Sequence, residues 1–332
     1  RLGKHRCLVV FLPHKDANDC LCNGCTEEDA REWIANAKVP SVVGLVKAHD
    51  LRKRLLEEIR PKPEPFTLPM FRIRWPHEGL WFRPGEVTVW VGITSAGKST
   101  FLNFLSSALI AFEMPVFIAS MEVRAEVTLR RMMSPYAPQD GLNEVSANRF
   151  LDHVGHFIVF ADVIGYIKQD VLLEMMRFAF QRYGVCHFIV DSLMRIEGLE
   201  EDYPAQGTFL NKLQEFAKSS GAHIHLVAHA KKIGNDAKPS TNDIKGSSLI
   251  GNNADNVVAI ARNPEKDKLE KEGALTPEER MSMHDTEIRV EKQRETGWTR
   301  SFFLRFNPIT YSFTKMTSPA TKPTKQRNRS DP

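Results

Sequence analysis

With 332 residues, 42% of them hydrophobic, 26% charged and 20 of them Phe, the chain has the apolar material for one large packed domain plus an appendage, which excludes a mostly disordered protein. Its 45 basic and 41 acidic residues leave an excess of four, and Lys315–Pro332 accounts for it with five basic residues and one acidic, so the pI of about 8.7 identifies no basic binding face on the body. No apolar run approaches the ~18 residues of a membrane span, and five cysteines without a secretory segment point to free thiols in a reducing compartment, so a soluble, cytoplasmic protein without membrane contact is expected. The first residue is Arg rather than Met, consistent with a piece of a longer chain.

In chain order, Cys7–Pro13 (CLVVFLP) reads as a buried strand and Glu27–Ala37 as a helix. Cys20, Cys22 and Cys25, near His14, contain one Cys-x-x-Cys pair and no second pair at a structural-zinc distance, and read as ordinary thiols. Val43–Ile59 carries Leu45, Val46, Leu51, Leu55 and Leu56 at helical spacing, and the four prolines of Arg60–Pro69 predict a linker. From Phe71 onward strands are expected over Val87–Val91, Val116–Ser120, Phe157–Phe160, His187–Asp191, Ile224–His229, Asn256–Ala261, Glu287–Lys292 and Ser301–Phe306. Helices are expected over Lys98–Phe112, Glu126–Ser134, Lys168–Tyr183 and Thr208–Ser220. That alternation predicts an α/β fold with a mainly parallel sheet flanked by helices, the late strands forming hairpins. The polar end after Lys315 predicts a solvated tail.

The chemistry concentrates at Gly92-Ile93-Thr94-Ser95-Ala96-Gly97-Lys98-Ser99-Thr100, which follows a strand and opens a helix. Glycines let the backbone curl so that its N–H groups face phosphate oxygens, and the helix N-terminus adds favourable charge. Lys98 would then bridge the β- and γ-phosphates and Ser99 would ligate Mg²⁺. Asp191 closes an apolar strand, HFIVD, where it can hold the Mg²⁺ shell. Glu122 and His229 also follow strand ends, the edge of a parallel sheet where ligands bind. The first is placed to activate a water and the second to touch the γ-phosphate. The loop 230–245 after His229 carries Lys231, Lys232, Lys238 and Lys245, which could track the phosphates of a single strand. Lys292 and Arg294, at the end of a late strand, could reach a neighbouring subunit's γ-phosphate as arginine fingers do.

The segments GITSAGKST, SMEV, HFIVDS, HLVAHAKK, DIKGSSLIGNNADNVVAIARN and VEKQRETGW, in this order over about 71–313, resemble the RecA-like motor of replicative hexameric helicases. The likeness is to phage primase-helicases and Twinkle, with DnaB more distant. The resemblance implies a RecA-like P-loop NTPase core at 71–314 and a basic tail at 315–332. It also makes 1–40 (KDANDCL, GCTEEDAREWI) look like the end of a TOPRIM primase domain, and 41–70 like a linker helix with a Pro-rich linker.

For function, the resemblance implies an ATP- or dTTP-driven, Mg²⁺-dependent ring, a homo-hexamer or heptamer. Such a ring moves 5′→3′ on single-stranded DNA and unwinds duplex, alongside a replisome polymerase and a single-strand-binding protein, in phage-infected host cytoplasm or a mitochondrion. Carried over by residue, it makes Glu122 the catalytic base, puts Lys98, Ser99 and Asp191 on phosphate and metal, and makes His229 the γ-phosphate sensor. Lys231 joins the DNA loop, Lys292 and Arg294 act in trans, and Arg262 lies near the nucleotide base. Gly251-Asn252 departs from the Arg-Gln or Glu-Gln usual there, and no TOPRIM metal-binding acids are present in the chain, so priming is not implied. The competing reading is a RecA- or RadA-like recombinase filament; the linker helix and the Lys-Gln-Arg run favour the helicase.

Overall fold

Along Val87–Gly92 the side chains alternate between two apolar layers: Val87, Val89 and Val91 pack on one side and Trp90 on the other, all fully buried. A strand buried on both faces needs helices on both sides of its sheet, and this requirement organises the protein. The computed structural model describes residues 6–38, 45–60, 64–74, 78–136, 141–200, 202–229 and 248–316. The chain divides into two compact units, Arg1–Pro63 and Glu64–Pro332.

The first unit holds α1 (Ala17–Cys22), capped by Asp16, α2 (Glu27–Ala35), closed by a Thr26–Asp29 capping box, and α3 (Arg52–Glu58). The expected buried strand at Cys7–Pro13 is not formed: the segment makes an isolated antiparallel bridge from Val9 to Lys38, and Leu8 and Phe11 are exposed. An apolar run becomes a buried strand only where a ladder partner and a covering layer exist, and among the described residues of this unit there is neither. The helix expected over Val43–Ile59 is also shorter. A 3-10 turn at Ala48–Leu51 precedes α3, Leu51 offers no capping hydrogen bond, and no residue of α3 is buried. Residues 43 and 44 of that expectation lie outside the described residues.

In the second unit a two-stranded ribbon, β1 (Arg72–Arg74) with β2 (Glu78–Gly79), precedes β3 (Val87–Gly92), α4 (Lys98–Ala111), β4 (Val116–Ser120), α5 (Ala125–Met133), α6 (Glu144–Val154), β5 (Ile158–Phe160) and α7 (Gln169–Tyr183). There follow β6 (His187–Asp191), α8 (Tyr203–Ser220), β7 (His223–His229), α9 (Ser248–Asn253), β8 (Asn256–Arg262), α10 (Pro264–Lys271), α11 (Pro277–Ser282), β9 (Thr286–Gln293), β10 (Arg300–Asn307) and β11 (Ser312–Lys315). The nine-stranded sheet runs β11-β10-β9-β8-β3-β7-β6-β4-β5. The six strands from β8 to β5 are parallel, and β9, β10 and β11 continue the sheet as antiparallel hairpins, as the alternation predicts. Two differences have local causes. Helix α8 begins at Tyr203, five residues before the expected start, because Asp202 caps it and Pro204 suits its first turn. Helix α6, absent from the sequence reading, is set by a capping box between Asn143 and Ser146 and buries Phe150 and Val154. No helix among the described residues is long and apolar enough to cross a membrane.

A buried histidine array lies between β6, β7 and β3. Trp90 Nε1 can only donate, so His225 Nδ1 accepts from it at 3.2 Å, and His225 Nε2 donates to His187 Nδ1, also at 3.2 Å. His223 Nδ1 donates to the Arg83 carbonyl at 2.7 Å, while its Nε2 accepts from the Thr88 hydroxyl at 2.9 Å. Burial of all three rings favours their neutral forms. Burial pushes His223 down to about 4 and His187 and His225 well below the ordinary histidine range, with the neighbouring histidines adding to the effect on the last two. The unfolded chain takes up protons below about pH 6.5 whereas the folded array does not, so stability falls as pH drops from there, by about 1.4 kcal/mol per unit for each ring. Glu86 opposes one ring's share, because burial raises its carboxyl to about 7 and the folded state then holds a proton that the unfolded chain releases above about 4.5. The expected net result is a urea-unfolding midpoint that drops steeply between pH 6.5 and 5; an unchanged midpoint over that interval contradicts the neutral array.

Candidate nucleotide site

The first βα turn is shaped by contacts that only particular residues permit. At Gly92 a Cβ would lie 2.5 Å from the Ile260 carbonyl oxygen of neighbouring β8, so any side chain would force those strands apart. Gly97 (φ 89°) and Ser95 (φ 65°) take left-handed conformations that coil the loop above the start of α4. Lys98 opens α4, is buried, and folds back across the turn, donating from Nζ to the carbonyls of Gly92 and Ile93 at 2.9 Å each. Burial lowers its ammonium to about 8, against the opposing pull of Asp191 and Glu122. A cation held by two backbone carbonyls in a concave turn is placed to exchange them for phosphate oxygens.

The sheet brings the carboxylates to the same edge. Strands β4 and β6 pair with Ser120 opposite Asp191, and the Met121 amide donates to the Asp191 carbonyl at 3.1 Å, so Glu122 emerges beside Asp191. Asp191 is raised by burial, an effect opposed by a hydrogen bond from Ser99 and by Lys98 and reinforced by Glu122. The Ser99–Asp191 pair is a hydroxyl and a carboxylate side by side, a donor set suited to Mg²⁺. His229 ends β7 opposite Gly92, and Arg262 ends β8, where its guanidinium meets Asp267 at 2.6 Å. Thr94, Ser95, Ala96, Gly97, Lys98, Ser99, Thr100, Glu122, Asp191, His229 and Arg262 thus line one cleft of about 320 Å³. Gly92, the last residue of β3, is not among the residues that line it.

Asp285, Thr286, Phe306 and Phe313 complete the lining and were not singled out from the sequence. They reach the cleft because β9 runs antiparallel to β8, with Thr286 paired to Arg262, and because Phe306 and Phe313 face each other across β10 and β11 at 4.9 Å. No motif marks them; only strand direction does. Asp285 is already engaged, by Lys266 Nζ at 2.7 Å and by the Phe306 amide at 2.8 Å.

Lys292 and Arg294 are not in this cleft. The same reversal of β9 carries them to the amino-terminal edge of the parallel strands, where Asn256 pairs with Gln293. There Lys292 donates to the carbonyls of Gly251 (3.1 Å) and Asn252 (2.6 Å), and Arg294 grips the buried Asp255 carboxylate at 2.9 Å and the Asn253 carbonyl at 2.5 Å. Lys231, Lys232, Lys238 and Lys245 lie outside the described residues, as does the tail from 317 on.

Comparison with known proteins agrees with the motif resemblance. A family model described as the DnaB-like helicase C-terminal domain matches residues 78–315. A DNA helicase/primase of Enterobacteria phage T3 is 27% identical over 330 residues, covering 89% of this chain and 56% of that protein. The Twinkle homolog protein, chloroplastic/mitochondrial, of Arabidopsis thaliana is 23% identical over 296 residues, covering 79% of this chain and 41% of that protein. The chain spans about half the length of the curated relatives it matches. Its fold is that of the solved ATPase domain of G40P, with a TM-score of 0.62 at 14% identity over 81% of this chain and 99% of that domain. A match that takes in the sheet, the phosphate turn and the carboxylates around it places the chain in the DnaB-like helicase C-terminal domain family, a family of NTP-hydrolysing helicases.

Proposed function

We propose that this chain is the motor of a replicative ring helicase that hydrolyses ATP or dTTP with Mg²⁺, moves 5′→3′ along single-stranded DNA and parts duplex ahead of it. The observation that carries the reading is the single cleft in which Lys98, Ser99, Glu122, Asp191 and His229 meet at the carboxyl edge of the parallel sheet. Within it Lys98 leaves the carbonyls of Gly92 and Ile93 for the β- and γ-phosphates. Ser99 and Asp191 hold the metal, which supplies charge neutralisation at the transferring phosphoryl group. Glu122 orients and deprotonates the attacking water, His229 senses the γ-phosphate, and Arg262 lies toward the base.

Lys292 and Arg294 sit at the opposite edge of the sheet, a position that favours service to the next subunit's cleft in a homo-hexamer or heptamer. Lys231, Lys232, Lys238 and Lys245 are assigned to the loop that follows DNA. A replisome polymerase and a single-strand-binding protein are the partners such a motor needs, in the cytoplasm of an infected host or in a mitochondrion. Family membership favours this reading over a recombinase filament. Residues 1–40 are assigned to the end of a TOPRIM-like domain and 41–70 to the linker. The test is strand displacement on forked DNA with a 5′ or a 3′ tail, supplied with each NTP. Unwinding only from the 5′-tailed fork is expected, and unwinding only from the 3′-tailed fork, or NTP turnover indifferent to added single strand, would refute it.

A further inference from the structure

A cationic side chain outside every motif touches the proposed base. Arg195 ends the 3-10 turn Leu193–Arg195 that follows β6, and its Nε donates to Glu122 Oε1 at 2.9 Å. The backbone of that turn is fixed: the Arg195 amide donates to the Ser192 carbonyl at 3.0 Å, the Ile167 amide donates to the Arg195 carbonyl at 3.0 Å, and Leu193 and Ile196 are buried on either side. The guanidinium lies over the Tyr166 ring, 5.5 Å from its centroid. Among the described residues Glu122 is otherwise held through its backbone neighbourhood, Met121 being bonded on both sides, to the Asp191 carbonyl and from the Gly165 amide. The Glu122 side chain is 44% exposed and, without Arg195, would have several rotamers open to it.

We propose that Arg195 is a positioning residue for the hydrolytic reaction: it occupies one oxygen of the Glu122 carboxylate, fixes its rotamer at the mouth of the cleft, and leaves the second oxygen for the water that attacks the γ-phosphate. The inference rests on the reading of Glu122 as the base. The chemistry is one of geometry rather than proton transfer, because a guanidinium stays charged throughout and donates only. Its planar fork and its contact with the Tyr166 ring hold the carboxylate in one place, and a Lys in its position would keep the charge without that restraint.

The test uses the full chain with DNA-stimulated NTP turnover. Arg195→Ala is expected to lower kcat roughly tenfold to a hundredfold, the range that misplacing a catalytic group by about 1 Å produces, with KM for NTP and the binding of a non-hydrolysable analogue unchanged. Arg195→Lys should recover part of the loss, and Tyr166→Leu, which leaves both charged partners, should lower kcat in the same direction by less. In a Glu122→Gln background Arg195→Ala should have no further effect on the residual rate. An undiminished kcat in Arg195→Ala, or an equal loss with and without the Glu122 carboxylate, overturns the positioning role while leaving the functional reading intact. Undiminished turnover in Glu122→Gln alone removes the base assignment and this inference together.

Discussion

Lys98→Ala should abolish NTP turnover, by about a thousandfold or more given the phosphoryl charge a P-loop lysine neutralises in the transition state, without lowering the stability of the fold. The second half follows from how Lys98 is held. Burial lowers its ammonium to about 8, so at neutral pH the folded state carries a charge that the unfolded chain solvates more easily. The sign is fixed by linkage. The unfolded lysine keeps its proton up to about 10.4, the folded one gives it up near 8, and the folded state is penalised by roughly 3 kcal/mol at pH below 8, a penalty that disappears as pH rises through that interval. Removing the side chain removes the penalty together with the two bonds to Gly92 and Ile93. The expected observation is an inactive variant whose thermal midpoint at pH 7 equals or exceeds that of the parent. An inactive variant that is also several degrees less stable would make Lys98 a structural cation instead.

Arg294 should behave in the opposite way with respect to neighbours. Arg294→Gln retains a hydrogen-bonding partner for Asp255, which also accepts from the Val87 amide at 3.0 Å and from Gln214 at 3.3 Å, so the buried carboxylate is not left unpaired. The fold is expected to survive, nucleotide to bind, and turnover to fall by about a thousandfold, the effect of removing an arginine finger. Mixed with Glu122→Gln subunits in equal amounts, it should regain activity, since roughly a quarter of the interfaces in a randomly mixed ring would then pair an intact Glu122 with an intact Arg294. The measurement is turnover as a function of mixing ratio. Two inactive variants that stay inactive at every ratio would place Arg294 in its own subunit's chemistry or outside the chemistry altogether.

The phosphate turn was legible because its chemistry demands particular residues at fixed spacing: a glycine where β8 passes within 2.5 Å of a Cβ, another at positive φ, and a lysine and a hydroxyl at the first turn of a helix. Asp191 and Glu122 were legible for a related reason, since a polar residue closing an apolar run marks the edge of a parallel sheet. The Cys7–Pro13 run had the same apolar appearance and misled, because hydrophobicity reports a capacity for burial and says nothing about whether a ladder partner is at hand.

What the amino-acid order by itself determined was the set of local choices: the alternation of strand and helix, the phosphate turn, the carboxylates at strand ends and the family motifs. What only the folded chain decided was direction and proximity. The reversal of β9 against β8 brings Asp285 and Thr286 into the cleft and sends Lys292 and Arg294 to the far edge, and the pairing of β4 with β6 sets Arg195 against Glu122 across 73 residues of sequence. Spacing along a chain constrains contacts within a helix or a turn, but the register of one strand on another is chosen by the packing of two whole faces, and no short run of residues encodes it.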